Sequence, residues 1–523
     1  MLEWLFWTVV QLAVVVGASY AIAELTKKKP EDTVTEPDTF KFPEIKEGTK
    51  YSIIAGTCWI ENPIVAWYGD VYDEALVVRL SDTDGQYVII HRYWYAALFI
   101  LCQGVTDGII QTKLGDDIIW PSPYDYTWLD SDGRDYIISY YPELYGGIHE
   151  HNAQISGQGG IQIVMDFRYG EMTQGYDAYL VSLLGSDISC NRGLTTVTMH
   201  RSYIGLSTQL KPFKFLLKRV LHLTTGEAQW YPAKAAIRIY EINPIHWLRE
   251  TYTDIEWGLK TPTNLLNDTT WRAAADTLYD EGFGICIKWE GEQSLESHIK
   301  GILRCINAKI YEDHETGFIE IKLIRDDYVS DDLEEFNETD IVSIDKFSRN
   351  MMHKTPSVTY AKFWNYYDNL PRVLPNYDVG LSASQSETNI PNDVSYTEIV
   401  NSELAGKLAA RDQQQIASFP AMMTLKCKRT MAHLKPGDVF KLVYTTREII
   451  SMIVRVVEPH YGTLEDGTVT LICIEDIFGM KDSLYADPPN SEWTPPSPTP
   501  TYIDEYMQAE VALSGTDPTV TII

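Results

Sequence analysis

Apolar positions along this chain fall into three kinds of pattern. From Trp4 to Ala23 they are almost unbroken, with only Thr8, Gln11 and Ser19 mildly polar, and Lys27-Lys28-Lys29 follows. That run predicts a helix long enough to span a bilayer. A helix buried inside a large assembly is also apolar all round, so both readings stay open. Basic residues after the run and Glu3 before it are the wrong way round for a signal peptide. From about Tyr51 the pattern changes to short β runs: Tyr51 to Gly56, Ala75 to Leu80, Tyr87 to Ile90 and Thr195 to Met199. Turn-forming clusters at Asp82 to Gly85 and Gly157 to Gly160 separate them.

Helical spacing takes over in the middle. Asn243-Pro244 predicts an N-cap with Pro at the first helical position, opening a helix through Ile245, Trp247 and Leu248. Trp271 to Tyr279 reads as a second helix. In a third, from Gln293 to Ile306, Leu295, Ile299, Ile302, Leu303 and Ile306 share one face. Strands expected at Phe283 to Trp289 and Phe318 to Ile324 make this a small α/β or α+β unit over about 241 to 330. The last third returns to strict alternation after a helix at Ser402 to Ile416. Met423, Leu425 and Cys427 face one way, and Thr424, Lys426 and Lys428 the other. Asp438 to Tyr444, Ile449 to Val457 and Thr468 to Glu475 follow, with turns at Pro436-Gly437 and Glu465-Asp466-Gly467, as in a meander or small barrel. A Pro-rich stretch from Asp487 to Pro500 reads as a stiff linker.

The expected fold class is therefore α+β, mainly β, with two β-barrel-like domains, an α/β insertion and an N-terminal apolar helix. The expected divisions are residues 1–29 (helix), 30–49 (polar tether), 50–240 (β-rich), 241–345 (α/β), 346–485 (helix plus barrel) and 486–523 (linker and tail). With 523 residues the chain is too long for a single core.

Charge narrows the function. Asp and Glu number 73 against 43 Lys and Arg, a formal charge of −30 that repels nucleic acid. Seven cysteines stand singly, without metal-ligand or disulfide-framework spacing, as suits a reducing cytoplasm. The 33 Tyr and 14 Trp supply large faces with a polar tip, suited to half-buried contacts. Candidate chemistry is thin. His149-Glu150-His151 lacks the i, i+4 spacing of a helical zinc site and reads as a surface loop. The pairs Asp116-Asp117, Asp326-Asp327 and Asp331-Asp332 read as solvated turns. Nucleophile elbow, P-loop and dinucleotide-binding glycine patterns are absent from the sequence, so no catalytic residue, metal or cofactor is expected.

A series of short segments, in order, resembles the central tail-hub proteins of lambda-like long-tailed bacteriophages. They are Pro63 to Asp70 (with Trp67 and Gly69), Leu101-Cys102-Gln103-Gly104, Tyr179 to Arg201, Gln229-Trp230-Tyr231-Pro232, Ile242-Asn243-Pro244 and Ala275 to Tyr279. Ala409 to Asp412, Leu434-Lys435-Pro436-Gly437-Asp438-Val439-Phe440, Val454-Arg455-Val456 and Glu475-Asp476-Ile477-Phe478-Gly479 close it. Gln103 departs from the acidic residue commoner there. The resemblance implies a homotrimer whose paired barrels form a pseudo-sixfold ring, with the N-terminal helix inside the assembly. It also implies contacts with a distal tail ring, a tape-measure protein and fibres or a spike, DNA passing through unbound, and membrane contact during infection. On that reading Trp67, Gly69, Gly104, Trp230, Pro232, Pro436, Gly437, Asp438, Asp476 and Phe478 are fold-defining turns and interface contacts. Relatives that continue into fibre regions differ from this chain, so receptor binding is expected from separate fibre proteins. A tail-borne enzyme cutting cell-wall glycan and a membrane-anchored surface protein are the competing expectations.

Overall fold

The computed structural model describes residues 50–476 except 80–86, 121–125, 130–134, 142–160, 206–211, 239, 292–293, 350–354, 365–369, 385–389, 464 and 466. The apolar run Trp4 to Ala23, the tether, His149 to His151, Phe478 and the Pro-rich linker lie outside the described residues. Among the described residues, no helix is long and apolar enough to cross a membrane.

The fold is mainly β and centres on two sheets, each curved as a half-barrel. The first is built from β1 (Ile53–Ile60), β2 (Ile64–Arg79), β3 (Tyr87–Gln103), β4 (Gly108–Leu114), β5 (Asp117–Trp120), β6 (Tyr126–Leu129), β7 (Asp135–Tyr141) and β8 (Ile161–Arg168). Helix α1 (Ala178–Leu184) then leads to β9 (Leu194–Gly205) and β10 (Phe213–Arg219). Spatially the strands run β5-β4-β10-β1-β3-β9-β8-β7-β6, with β2 paired on β3 and the later strand Ile287–Trp289 paired on β1. The short runs expected from alternation are parts of longer strands here: β2 has 16 residues and β3 has 17. Bulges between Val65 and Trp67 and between Gly69 and Tyr72 absorb the residues that break the alternation.

Between the sheets lies an α+β unit. It begins with β11 (Ala236–Ile237), β12 (Glu241–Ile242), α2 (Pro244–Thr253), α3 (Asp268–Asp280), β13 (Ile287–Trp289), α4 (Leu295–Ile306), β14 (Ala308–Glu312) and β15 (Ile319–Leu323). The local signals explain the three helices. Asn243 caps α2 by accepting from Ile245 N at 3.1 Å, with Pro244 behind it. Asn267 caps α3 and Ser294 caps α4 in the same way, and α4 ends at Asn307 in the left-handed conformation.

Then β16 (Glu335–Phe336) and β17 (Ile341–Arg349) enter the second sheet. Next, β18 (Val358–Trp364), β19 (Pro371–Tyr377), α5 (Val379–Ser384), β20 (Pro391–Tyr396) and α6 (Ser402–Ala417) return to the α+β unit. Finally β21 (Ala421–Lys428), β22 (Val439–Tyr444), β23 (Ile449–His460) and β24 (Thr468–Glu475) complete the second sheet, in the order β16-β22-β23-β24-β21-β17.

Three buried clusters follow from this path. Leu404, Ala405, Leu408 and Ala409 of α6 join Ile245, Trp247, Trp271, Ile299 and Ile302 in the α+β core. That helix therefore packs with the middle unit and not with the strands that follow it, and β17 runs through residue 345. Strand β1 is buried along its whole length. Ile53 and Ala55 face the α+β core, whereas Ile54, Cys58 and Ile60 face the core of the first sheet. A strand covered on both faces reads as a continuous apolar run, as Ile53 to Ile60 does.

Candidate functional site at the junctions between the cores

Each sheet meets its neighbour through a buried arginine. Arg219 ends β10 in phase with Phe213, Phe215 and Leu217, all buried. Its guanidinium is fully buried and donates to both Glu250 carboxylate oxygens, at 2.8 and 3.0 Å. It also donates to the carbonyls of Ile54 and His222 and lies over the Trp247 ring. Glu250 is on α2 and accepts in addition from Thr224 N at 2.9 Å. The pair thus clamps the first sheet to the α+β unit. Removing one member of such a pair leaves a buried charge uncompensated, at a cost of roughly 3–5 kcal/mol.

Gly104 sits beside this clamp. Its φ is +94°, and a Cβ there would meet Thr224 Cα at 2.9 Å, so only glycine fits the approach of the two segments. Its N–H donates to Gly193 O at 2.7 Å, and Val105 N donates to Thr224 O at 3.0 Å. The adjacent Asp107 carboxylate accepts from Val220 N and Leu221 N at 2.6 and 2.9 Å, ordering the chain just after β10.

Trp230 and Pro232 lie on the outer side of α2 and α3. The Trp230 indole N–H donates to Asp268 at 2.6 Å, while Arg249 and Arg272 stand over its ring at 4.3 and 5.1 Å. Tyr231 accepts Arg272 over its own ring at 4.6 Å and donates to Asp276. The Trp230–Pro232 segment is thereby stapled to both helices by cation–π contacts, with Pro232 itself exposed.

The α+β unit also buries groups whose charged forms burial disfavours. Glu241 on β12 is 4% exposed, and its Oε2 has no hydrogen-bond partner. Burial pushes its carboxyl up to about 7, against the opposing pull of Arg238. His298 accepts from the Trp247 indole N–H at 2.9 Å, which requires a neutral ring. Burial holds it, and likewise His246, down at about 4.

The second junction gathers four of the residues singled out in sequence. Arg455 on β23 donates to both Asp476 carboxylate oxygens at 3.1 Å, to Gly437 O at 2.9 Å and to Arg325 O at 3.0 Å. The Tyr328 hydroxyl donates to the same Asp476. The 434–438 turn is closed by Asp438 accepting from Lys435 N at 2.7 Å, and Lys322 of β15 donates to its other oxygen. Lys435 reaches Asp313 at 3.1 Å, at the tip of the β14–β15 hairpin. The Thr316 hydroxyl, and after it Lys435, hold the Asp313 carboxyl low. Gly437 has φ +89° and lies against the Lys322 stem. Pro436, Gly437, Asp438 and Asp476 therefore form one joint between the β14–β15 hairpin and the second sheet.

Trp67 and Gly69 stand apart from both joints, on β2. A Cβ on Gly69 would lie 2.5 Å from the Trp67 ring, so the indole folds over the glycine. Asp70, in the left-handed region at φ +49°, accepts from Tyr179 Oη at 2.6 Å and from Arg201. Those hydrogen bonds, Arg201 first, hold its carboxyl below the ordinary range.

Among the described residues, no three His, Cys, Asp or Glu side chains are grouped to hold a metal ion. The described cysteines are free thiols, and all but Cys190 are buried. Neither a protein-family profile nor a curated protein matches the sequence. Solved structures do match in their coordinates. A chain from the virion of a native gene transfer agent particle is 12% identical, with a TM-score of 0.48 over 85% of this chain and 89% of that one. A tail protein from Neisseria meningitidis MC58 is 10% identical, with a TM-score of 0.29 over 70% of this chain and 96% of that one. The 43 kDa tail protein of prophage MuSo2 from Shewanella oneidensis is also 10% identical, with a TM-score of 0.28 over 72% and 100%.

Sequence reading passed over Arg219, Glu250 and Glu241. A signal was present for Arg219, which continues the alternation of Phe213, Phe215 and Leu217 and so falls on the buried face. Nothing local marks its partner, 31 residues away on a helix.

Proposed function

We propose that this chain is a structural hub at the tip of a long-tailed phage tail, acting in the virion as a homotrimer and not as an enzyme. The observation that carries this reading is the pairing, within one chain, of two half-barrel sheets bolted to a common α+β unit by buried arginine–carboxylate joints. Three copies about an axis present six half-barrels, which is what an adaptor from a sixfold tube to a threefold tip requires. The segments that resemble tail hubs supply the joints: Gly104 beside the first, and Pro436, Gly437, Asp438 and Asp476 in the second. Trp67, Gly69, Trp230 and Pro232 serve as turns and contact residues on the outer faces. The second sheet also leaves Val342, Phe347, Met422 and Ile450 exposed, apolar area suited to burial between subunits.

In this role the ring contacts a distal tail ring above, a tape-measure protein within and fibres or a spike below. A charge of −30 lets DNA pass without gripping it. Opening is a conformational switch, in which the joints keep each protomer rigid while protomers move apart. Light scattering on residues 30–485 after size exclusion tests the reading. A threefold mass, with a holed ring in electron micrographs, is the expected result. A monomer at every concentration, also in the presence of the tail-ring partner, overturns it.

A further inference from the structure

We propose that the cleft between α4 and α6 binds a phosphate-type anion. The cleft has a volume of about 410 Å³ and is bounded by Lys300, Arg304, Lys309 and Arg411, with Asp412 the one carboxylate among its described lining residues. That size is within the range of small-molecule sites. Four basic residues bordering one concavity run against the balance of a chain whose formal charge is −30. A concave, partly apolar wall focuses such a field rather than dispersing it.

The hydrogen bonding decides which groups are free to take a ligand. Arg411 is spent on the structure: it caps the end of α4 by donating to Cys305 O at 2.7 Å and Arg304 O at 3.3 Å, and it pairs with Asp412 at 2.8 Å. This cancels the negative end of the helix that would otherwise repel an anion. Asp412 is spent as well, since its other oxygen accepts from the buried Tyr396 hydroxyl at 2.8 Å. It reaches Arg304 only at 3.9 Å. Lys309 makes no ion pair among the described residues, and Lys300 is held by Glu296, one turn back. Lys300 and Arg304 are like charges at i and i+4, a mildly unfavourable spacing that a bound anion would relieve. Arg304 and Lys309 therefore present unspent donors over a cleft whose own carboxylate is occupied. An arginine fork with a lysine beside it matches the several oxygens of a phosphate better than it matches a single carboxylate. Asn307, Asn392 and Gln415 on the rim add amides for whatever carries the phosphate.

Calorimetric titration of the full chain at low ionic strength, with inorganic phosphate in one series and glycerol 3-phosphate in the other, tests this. One saturable site per chain is expected, weakened at least tenfold in Arg304→Glu/Lys309→Glu and unchanged in Lys426→Glu, which alters an exposed lysine of the second sheet. Lys309→Gln should weaken binding severalfold, which keeps the test decisive if the double variant loses its fold. Tighter binding of glycerol 3-phosphate assigns an esterified phosphate, and equal binding assigns the free ion. No saturable heat with either probe, or equal weakening in Lys426→Glu, overturns the proposal.

Discussion

The two arginine joints use the same chemistry, one mid-chain and one near the end of the described residues, yet they differ in what they connect. Arg219 and Glu250 come from different cores, and each is almost wholly buried, at 0% and 2% side-chain exposure. Arg455 and Asp476 both belong to the second sheet, and they reach the preceding segment through the Arg325 carbonyl and the Tyr328 hydroxyl. In the first joint the ion pair spans the two cores directly, beside strand β1, which both cores share. In the second it is a platform on which neutral donors and acceptors make the connection. A buried pair stabilises little over an apolar replacement but is costly to break on one side. Both joints should therefore suffer when one partner goes, since Arg455 and Asp476 are also only 4% and 3% exposed. The second should in addition lose its contacts to the preceding segment.

Arg219→Met tests the first joint. It should destabilise the chain by roughly 3–5 kcal/mol, because Glu250 is left charged and buried. Arg219→Met/Glu250→Met should recover most of that loss in denaturant unfolding. If the double variant is no better than the single one, the pair is a connection that apolar packing cannot replace.

The buried titratable groups near the first joint predict a pH dependence of their own. Glu241 has a carboxyl raised to about 7 from an ordinary 4.5, so the stability it contributes is present below about 4.5 and is lost as pH rises through 7. His246 and His298, lowered to about 4, act in the opposite direction. Their contribution is present above about 6.5 and is lost as pH falls towards 4. Denaturant unfolding measured across this pH range tests the balance of the three groups. Glu241→Gln should raise the stability at pH 8 relative to that at pH 5 by about 2–3 kcal/mol, because the loss on ionising this carboxyl is gone. An unchanged pH profile would remove Glu241 as the cause.

At the second joint, Asp476→Asn keeps an acceptor for Arg455 but removes the charge of a buried pair, and should cost about 3 kcal/mol, the lower end of the range for such a pair broken on one side. The β14–β15 hairpin should then lose protection in hydrogen exchange while the first sheet keeps its own. Gly437→Ala is the mildest change, about 1–2 kcal/mol from a left-handed φ, since the Lys322 stem it meets is flexible. A loss as large as that of Arg219→Met would mean that the turn, and not the ion pair, governs the joint.

The helices were legible because their signals are local: Asn243-Pro244 at a start and the apolar face of α4 along a length. The alternating strands β21, β22, β23 and β24 were legible for the same reason. Harder to read were β2 and β3, where bulges carry a strand through residues that look like breaks. Hidden altogether was the packing of α6, whose apolar face says that it is buried but not against what. The joints divide in the same way. The Pro436-Gly437-Asp438 turn announces itself by composition. Its convergence with Arg455 and Asp476 depends on strands pairing across the sheet.

The sequence by itself determined the kinds of element, their caps and turns, the acidic balance and the absence of a recognised catalytic motif, because each is written in residues near one another along the chain. Only the tertiary structure decided that β1 serves two cores, that α6 joins the middle unit, and that Arg219 meets Glu250 while Arg304 and Lys309 share a cleft. Those facts rest on which surfaces exclude water from each other. That depends on contacts between distant segments, and no local pattern encodes them.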